Sequence, residues 1–239
     1  MKEKIVGILG GMGPEATVDL MQRIILLTPA LDDIDHIRCV VDNNPKVPSR
    51  IKAIIEGDGE DPGPYMADMA RRLESWGVDF LVIACNTAHY YYDAVQSAVN
   101  IPVINLIGLV TDNLIQNYPN HRNIGILASP AIKINGLYAR QFKQSGLVDV
   151  WPDPEVNELL LKIIKSVKKN DTGAEVIRDY QSVCQHLKEK GTELVIVACT
   201  ELSALNADLP VQAMDAAHIL AKEIVDVAKN GKALSSYSL

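Results

Sequence analysis

Phe80-Leu81-Val82-Ile83-Ala84-Cys85 and Leu194-Val195-Ile196-Val197-Ala198-Cys199 share one pattern, a short unbroken apolar run that ends on a cysteine. Polar residues follow each, Asn86-Thr87 in the first and Thr200-Glu201 in the second. Continuous apolar runs of this length suit strands covered on both faces, as in a parallel sheet. The likeness extends outward. Arg72-Leu73-Glu74-Ser75-Trp76-Gly77-Val78-Asp79 precedes the first run and His186-Leu187-Lys188-Glu189-Lys190-Gly191-Thr192-Glu193 the second, while Pro102-Val103 and Pro210-Val211 come after them. Near the start, Val6-Gly7-Ile8-Leu9-Gly10 reappears as Ile124-Gly125-Ile126-Leu127-Ala128. The separations drift from 118 to 108 residues, as insertions and deletions in a duplicated unit would produce.

The rest of the chain fills in the same alternation. An amphipathic stretch from Pro14 to Leu27 predicts a helix and Ile37 to Val41 a strand, which Asn43-Asn44-Pro45 breaks. A loop rich in Gly, Asp and Pro runs from Gly57 to Pro64, then a helix to about Trp76 and another from about Thr87 to Ala98. Strands alternating with helices of 10–15 residues imply βαβ units. The expected fold class is α/β: two pseudosymmetric domains, each a parallel sheet flanked by helices, with the active site in the cleft between them. Residues 1–103 with a returning segment 212–239 make the first domain and 104–211 the second. Ligands of open α/β sheets bind beyond the carboxyl ends of the strands, where both cysteines sit.

Composition narrows the function. In 239 residues, 48% are hydrophobic and 22% charged, enough for a real core. The 23 basic against 30 acidic residues give a net charge of −7, which argues against a nucleic-acid partner, since phosphate contacts need a basic face. No run approaches the roughly 18 apolar residues of a membrane span. Met1-Lys2-Glu3-Lys4-Ile5 leads straight into a strand-like stretch, so the expectation is a cytoplasmic protein with reduced thiols. The four cysteines, Cys39, Cys85, Cys184 and Cys199, lack the CxxC spacing of zinc or thioredoxin-type sites, and the histidines show no metal-ligand spacing. Cys39 and Cys184 fall in strand- and helix-like stretches and are expected to pack.

A thiol at a helix N-terminus lies in a positive field that favours the thiolate and lowers its pKa from about 8.5. Cys85 and Cys199 both answer that description, and the neighbouring Asn86, Thr87 and Thr200 could hold a carboxylate or a developing oxyanion. With the halves facing each other, one thiolate removes a proton from a carbon and the opposite thiol returns one to the other face, which inverts a stereocentre without a cofactor. Two other motifs compete. Gly11-Met12-Gly13-Pro14-Glu15-Ala16 fits G-x-G-x-x-A after a strand, with Asp42 ending the next one, although such a turn equally serves a smaller anion or a closely approaching loop. Cys85 and His89, four apart, could pair as nucleophile and base, leaving Cys199 without a role. No P-loop is present.

Five segments together are specific: Gly7-Ile8-Leu9-Gly10-Gly11-Met12-Gly13-Pro14, Asn43-Asn44-Pro45 through to Arg50, Gly59-Glu60-Asp61-Pro62, Cys85-Asn86-Thr87-Ala88-His89 and Cys199-Thr200-Glu201. They resemble the aspartate racemases of the aspartate/glutamate racemase superfamily over essentially the whole chain. The resemblance implies a racemase working with no cofactor, a homodimer, acting on a small acidic amino acid; the residue spacing, charge and lack of a membrane-length run leave no metal, nucleic acid or membrane as an expected partner. It makes Cys85 and Cys199 the acid/base pair and sets Arg50 and Lys168 against the substrate's side-chain carboxylate, where a guanidinium offers bidentate recognition. Met12 and Glu201 complete the expected substrate-binding set. Glu201 stands where glutamate racemases have histidine after Cys-Thr, which favours L- and D-aspartate as the pair interconverted. Ser49 replaces an acidic residue common before the arginine, and Ser129-Pro130-Ala131-Ile132 replaces a threonine-containing turn. Glutamate or another acidic amino acid is the alternative substrate. A hydrolase or decarboxylase using a single cysteine, and an amino-acid-binding protein on the same scaffold, are the alternative functions.

Overall fold

The structure, a computed structural model, describes residues 3–205 and 207–234. The chain divides into two compact units, one built from the chain up to Val110 together with that from Ala217 onward, the other from Thr111–Ala216. In the first unit, β1 (Val6–Gly10), α1 (Pro14–Leu27), β2 (Cys39–Asn43), α2 (Gly63–Ser75), β3 (Phe80–Ile83), α3 (Tyr92–Gln96) and β4 (Val103–Ile104) lead into α4 (Leu106–Asn117). The second unit holds β5 (Asn123–Leu127), α5 (Pro130–Ile134), α6 (Leu137–Ser145), β6 (Val148–Val150), α7 (Pro154–Val167), α8 (Ala174–Glu189), β7 (Leu194–Val197), α9 (Thr200–Ser203) and β8 (Gln212–Asp215), and α10 (Ala216–Ala228) returns the chain to the first.

Each unit carries a four-stranded parallel sheet, in the order β2-β1-β3-β4 and β6-β5-β7-β8. The two orders are the same arrangement written twice. In each, the first strand in sequence lies between the second and the third, so successive connections leave it in opposite directions and open a crevice at its carboxyl end. Gly10 and Cys85 flank that crevice in the first unit, Ala128 and Cys199 in the second. The repeat is also metrical. Gly7 has no room for a side chain because Leu81 of β3 lies 2.5 Å from where its Cβ would be and Leu73 of α2 3.5 Å; around Gly125 the corresponding atoms belong to Val195 at 2.7 Å and Leu187 at 3.2 Å. Both central strands therefore use a glycine to let the next strand and its preceding helix pack close. Behind them sit separate apolar cores, with Leu9, Met66, Met69, Leu73, Leu81 and Ile83 in one and Leu127, Leu160, Val183, Leu187, Val195 and Val197 in the other.

Three expectations need correction. The segment 212–215 belongs to the second sheet, as β8 in register with β7, and 104–110 belongs to the first unit; the chain crosses inside α4 and at the head of α10 rather than at the Pro-Val pairs. A strand must stay with its sheet, because its backbone groups have no other partners, whereas a helix satisfies its own. The second strand begins at Cys39 instead of Ile37, set by the pairing Val6↔Cys39. The helix expected from Thr87 to Ala98 is a 3-10 turn, Thr87–Tyr91, followed by the short α3. A buried side chain interrupts it, as described below.

Filling the glycine sites tests the packing repeat. Gly7→Val and Gly125→Val should each lower unfolding free energy by about 1–3 kcal/mol through overpacking, read from urea denaturation midpoints.

Candidate active site

At the crevice of the first unit, Gly11 adopts φ +88° and its Cα faces the backbone of Asn44, whose atoms lie 2.2–2.4 Å from where a Cβ would be. The glycine turn thus admits the loop after β2, the closely approaching loop of the two possibilities. Thr17 fastens the turn: its Oγ1 accepts from the Gly11 N–H at 2.9 Å and donates to the Gly13 carbonyl at 3.3 Å. Arg50 joins the same turn. One terminal nitrogen donates to the Met12 carbonyl at 3.0 Å, the other to the Pro48 carbonyl at 3.1 Å and, more weakly, to that of Val47 at 3.4 Å. Three of its five N–H donors are thus directed at backbone. The Met12 side chain is buried in the core, so only its backbone faces the turn. Ser49 opens the π-helical turn Lys52–Glu56, its carbonyl accepting from Ala53 N–H and its hydroxyl from Lys52 N–H.

Cys85 is a half-buried cysteine two residues past the end of β3, with Asn86 buried beside it and Thr87 half-buried. Asn86 is helical in conformation and makes no cap to the 3-10 turn. His89 governs this corner. It is fully buried; its Nδ1 donates to the Cys85 carbonyl at 2.8 Å, and its Nε2 accepts from the Leu106 N–H at 3.1 Å. An acceptor at Nε2 leaves the proton on Nδ1 and fixes a neutral tautomer. Burial pushes its pKa down to about 4, against the opposing pull of its backbone hydrogen bonds. The Cys85–His89 catalytic pair is therefore not formed: both ring nitrogens are committed to backbone, and the ring pins the cysteine loop to the start of α4. Capturing the Cys85 carbonyl with a side chain also explains the interrupted helix. Asn105, at the end of β4, caps α4 through Oδ1, which accepts from the N–H groups of Ile107 and Gly108 at 3.0 and 3.2 Å.

Cys199 occupies the matching place after β7, as N-cap of the single-turn α9. Its Sγ donates to Glu201 Oε2 at 2.9 Å, and the Thr200 hydroxyl donates to the same oxygen at 3.3 Å. Lys168, which caps α7, holds the other carboxylate oxygen at 3.2 Å. Burial, then the Glu201 charge and its hydrogen bond, raise the Cys199 pKa well above the usual thiol value, with Lys168 pulling the other way. The expected lowering by a helix terminus is reversed here. One helical turn supplies too small a dipole to offset burial beside a carboxylate. Burial raises Glu201 too, but the Cys199 S–H, its own backbone N–H and Lys168 outweigh it, and the carboxyl lies below its ordinary range. Lys168 and Glu201 thus form an ion pair at the thiol. The Ser129-Pro130-Ala131-Ile132 segment is the first turn of α5, closed by the Ile132 N–H on the Ser129 carbonyl at 3.1 Å. Cys39 and Cys184 pack as expected, burial lifting their thiols to about 11 and about 12.

Within the first unit the structure gathers Met12, Arg50 and the glycine turn, and places Cys85, Asn86 and Thr87 on the adjoining strand end; within the second it gathers Cys199, Thr200, Glu201 and Lys168. Among the described residues no group of three or more His, Cys, Asp or Glu could hold a metal ion, and no helix is long and apolar enough to cross a membrane. The Asp/Glu/Hydantoin racemase family model matches residues 9–224. The chain belongs to that family. It is 30% identical to the Picrophilus torridus aspartate racemase, whose structure it matches with a TM-score of 0.83 over 98% of this chain and 97% of that one. It is 27% identical over 232 residues to the Bacillus subtilis broad specificity amino-acid racemase RacX, covering 92% of this chain and 96% of the relative. The Pyrococcus horikoshii aspartate racemase homologue PH1733 shares the fold, with a TM-score of 0.75 over 94% of this chain and 99% of that one at 23% identity. Membership of a racemase family implies isomerase activity.

The neutral, buried His89 predicts an acid-sensitive stability. In the unfolded chain its imidazole titrates near 6.5 and in the folded chain near 4, so the unfolded state binds the extra proton between those values. The contribution is intact above about pH 6.5 and is lost as pH falls toward 4, by about 3 kcal/mol in the limit. Urea denaturation across that window should show His89→Gln, although less stable at neutral pH, with a flatter pH dependence than the parent protein.

Proposed function

We propose that this protein interconverts L- and D-aspartate without a cofactor, by two-base proton transfer at Cα between Cys85 and Cys199. The observation that carries the reading is the equivalence of the two thiols: each follows the third strand of a sheet with the same order, at the same register past that strand's end. A single-cysteine hydrolase or decarboxylase has no need of the second. One thiolate takes the α-proton, the other thiol delivers a proton to the opposite face, and the product leaves with the protonation states exchanged. The α-proton of an amino acid is very weakly acidic, so the carbanion depends on preorganised donors in a water-poor site. Asn86, Thr87 and Thr200, beside the two thiols, are assigned to the α-carboxylate and the developing oxyanion. Arg50 has two N–H groups beyond its backbone bonds, and together with Lys168 it is assigned to the distal carboxylate. A cytoplasmic homodimer needing no nucleic acid or membrane belongs to the same reading, supported by the acidic charge and the family.

A second reading widens the substrate range. Because Arg50 directs most of its donors to the backbone of its own loop, the grip on a distal carboxylate is weakened, and the similarity to a broad specificity racemase points the same way.

Proton NMR of L-aspartate with the purified protein in deuterated water, without pyridoxal phosphate, nucleotide or metal, separates these readings. Loss of the α-proton signal with formation of D-aspartate supports the first; equal exchange of neutral amino acids in a wider panel supports the second. Cys85→Ser and Cys199→Ser should each cut racemisation by about a hundredfold or more. Undiminished racemisation by either variant would overturn the two-thiol mechanism.

A further inference from the structure

Positions two residues past the cysteines differ between the halves: Thr87 in the first, Glu201 in the second. The first half thus has a neutral hydroxyl where the second has a carboxylate in contact with its thiol. Sequence reasoning grouped Glu201 with the substrate ligands. The geometry points to another role: we propose that Glu201 is a positioning residue that holds the proton on Cys199, Oε2 accepting the S–H while Lys168 fixes Oε1, so that the free protein rests with Cys199 as the proton donor.

Three contacts on one carboxylate support this. At 2.9 Å the S–H···Oε2 distance is short for a sulfur donor, the Thr200 hydroxyl converges on the same oxygen, and the Lys168 ammonium closes the other side. With Oε1 on Lys168 and Oε2 accepting two bonds, Glu201 has little left to offer an anionic ligand, which its own charge would repel in any case. The groups that face the thiol set its protonation from several elements. Glu201 on α9 disfavours the thiolate and Lys168 at the end of α7 favours it. From α8 the buried Tyr180 lies within electrostatic range of Cys199, as well as of Cys184 and of Asp215 on β8. Glu201 and Lys168 are the opposed pair, and removing each should move the thiol in opposite directions. A purely structural contribution from either residue gives no such reversal.

The inference rests on the two-thiol reading for its place in catalysis, yet its test uses the free protein. Alkylation by iodoacetamide, followed by mass spectrometry of the peptide carrying Cys199, reads the thiolate fraction across pH. Glu201→Gln preserves shape while deleting the charge, and should raise the alkylation rate at neutral pH by about tenfold. Lys168→Met, at a half-exposed position, should slow it several-fold. Unchanged rates in both variants, or shifts of the same sign, overturn the proposal. If Glu201→Gln does not fold, as checked by its melting profile, an unslowed Lys168→Met variant still overturns it. Opposed shifts in a protein that racemises no acidic amino acid would leave the proton-holding role standing and remove the aspartate reading. Racemisation of aspartate with an alkylation rate indifferent to both variants would do the reverse.

Discussion

Parallel pairing of β3 against β1, and of β7 against β5, is the interaction on which the site depends. In a parallel sheet all strands end on the same side, so whatever follows β3 is delivered to the edge where the turn after β1 also emerges. The apolar sequences Phe80–Ile83 and Leu194–Val197 are fully buried in their sheets, which forces the first polar backbone outside the sheet to satisfy its hydrogen bonds locally. Cys85 and Cys199 stand at that transition. Each is held by a strand that cannot slide, because a shift of one residue would turn its side chains through the sheet and bring Gly7 or Gly125 against the wrong neighbour. The thiols inherit their placement from the core.

Where the two halves diverge, burial decides the chemistry. In the first, the carbonyl of Cys85 is satisfied by a histidine side chain that burial keeps neutral. In the second, the cysteine takes a carboxylate as hydrogen-bond acceptor, and the carboxylate takes a lysine. An imidazole at the His89 position therefore serves architecture, although its spacing from Cys85 is the one a catalytic dyad would have. Spacing reports that two side chains can meet; which atom meets which is settled by the backbone groups that would otherwise be left unsatisfied.

This bears on what the sequence could disclose. The strands, α1 from Pro14 to Leu27, and the internal echo were legible because apolar periodicity and the Gly7/Gly125 and Leu73/Leu187 correspondences survive insertion. The domain crossings were not, since a Pro-Val pair marks a strand entry without saying which sheet receives it; only the register of Ala213 and Met214 against Val195 and Ile196 does. Cys85 and Cys199 were visible as candidates by their repetition. The sign of the Cys199 shift was not, because a rule about helix termini presumes a helix of several turns, and α9 has one. Arg50 was legible as a cation near the site but not as a brace for the glycine turn: its acceptors are the carbonyls of Met12, Val47 and Pro48, and a carbonyl has no signature in a residue name.

A two-base racemisation needs one thiol protonated and the other ionised at the moment the substrate binds. Two independent thiols of equal pKa, working at a pH near that value, reach this mixed state in about half of the molecules at best. A carboxylate that raises the pKa of one thiol opens a pH window between the two values in which the mixed form exceeds half. In the proposed two-thiol cycle the same bias opposes the return, because a turnover that starts with Cys199 as the donor would end with Cys199 ionised next to Glu201. A large bias would trap the cycle at that point. Lys168 limits it: its ammonium stabilises a Cys199 thiolate while it pairs with Glu201. The opposed charges let the site prefer one protonation state without making the other inaccessible, which is what the proposed racemisation, with an equilibrium constant of unity between mirror-image substrates, would require of groups that run it in both directions.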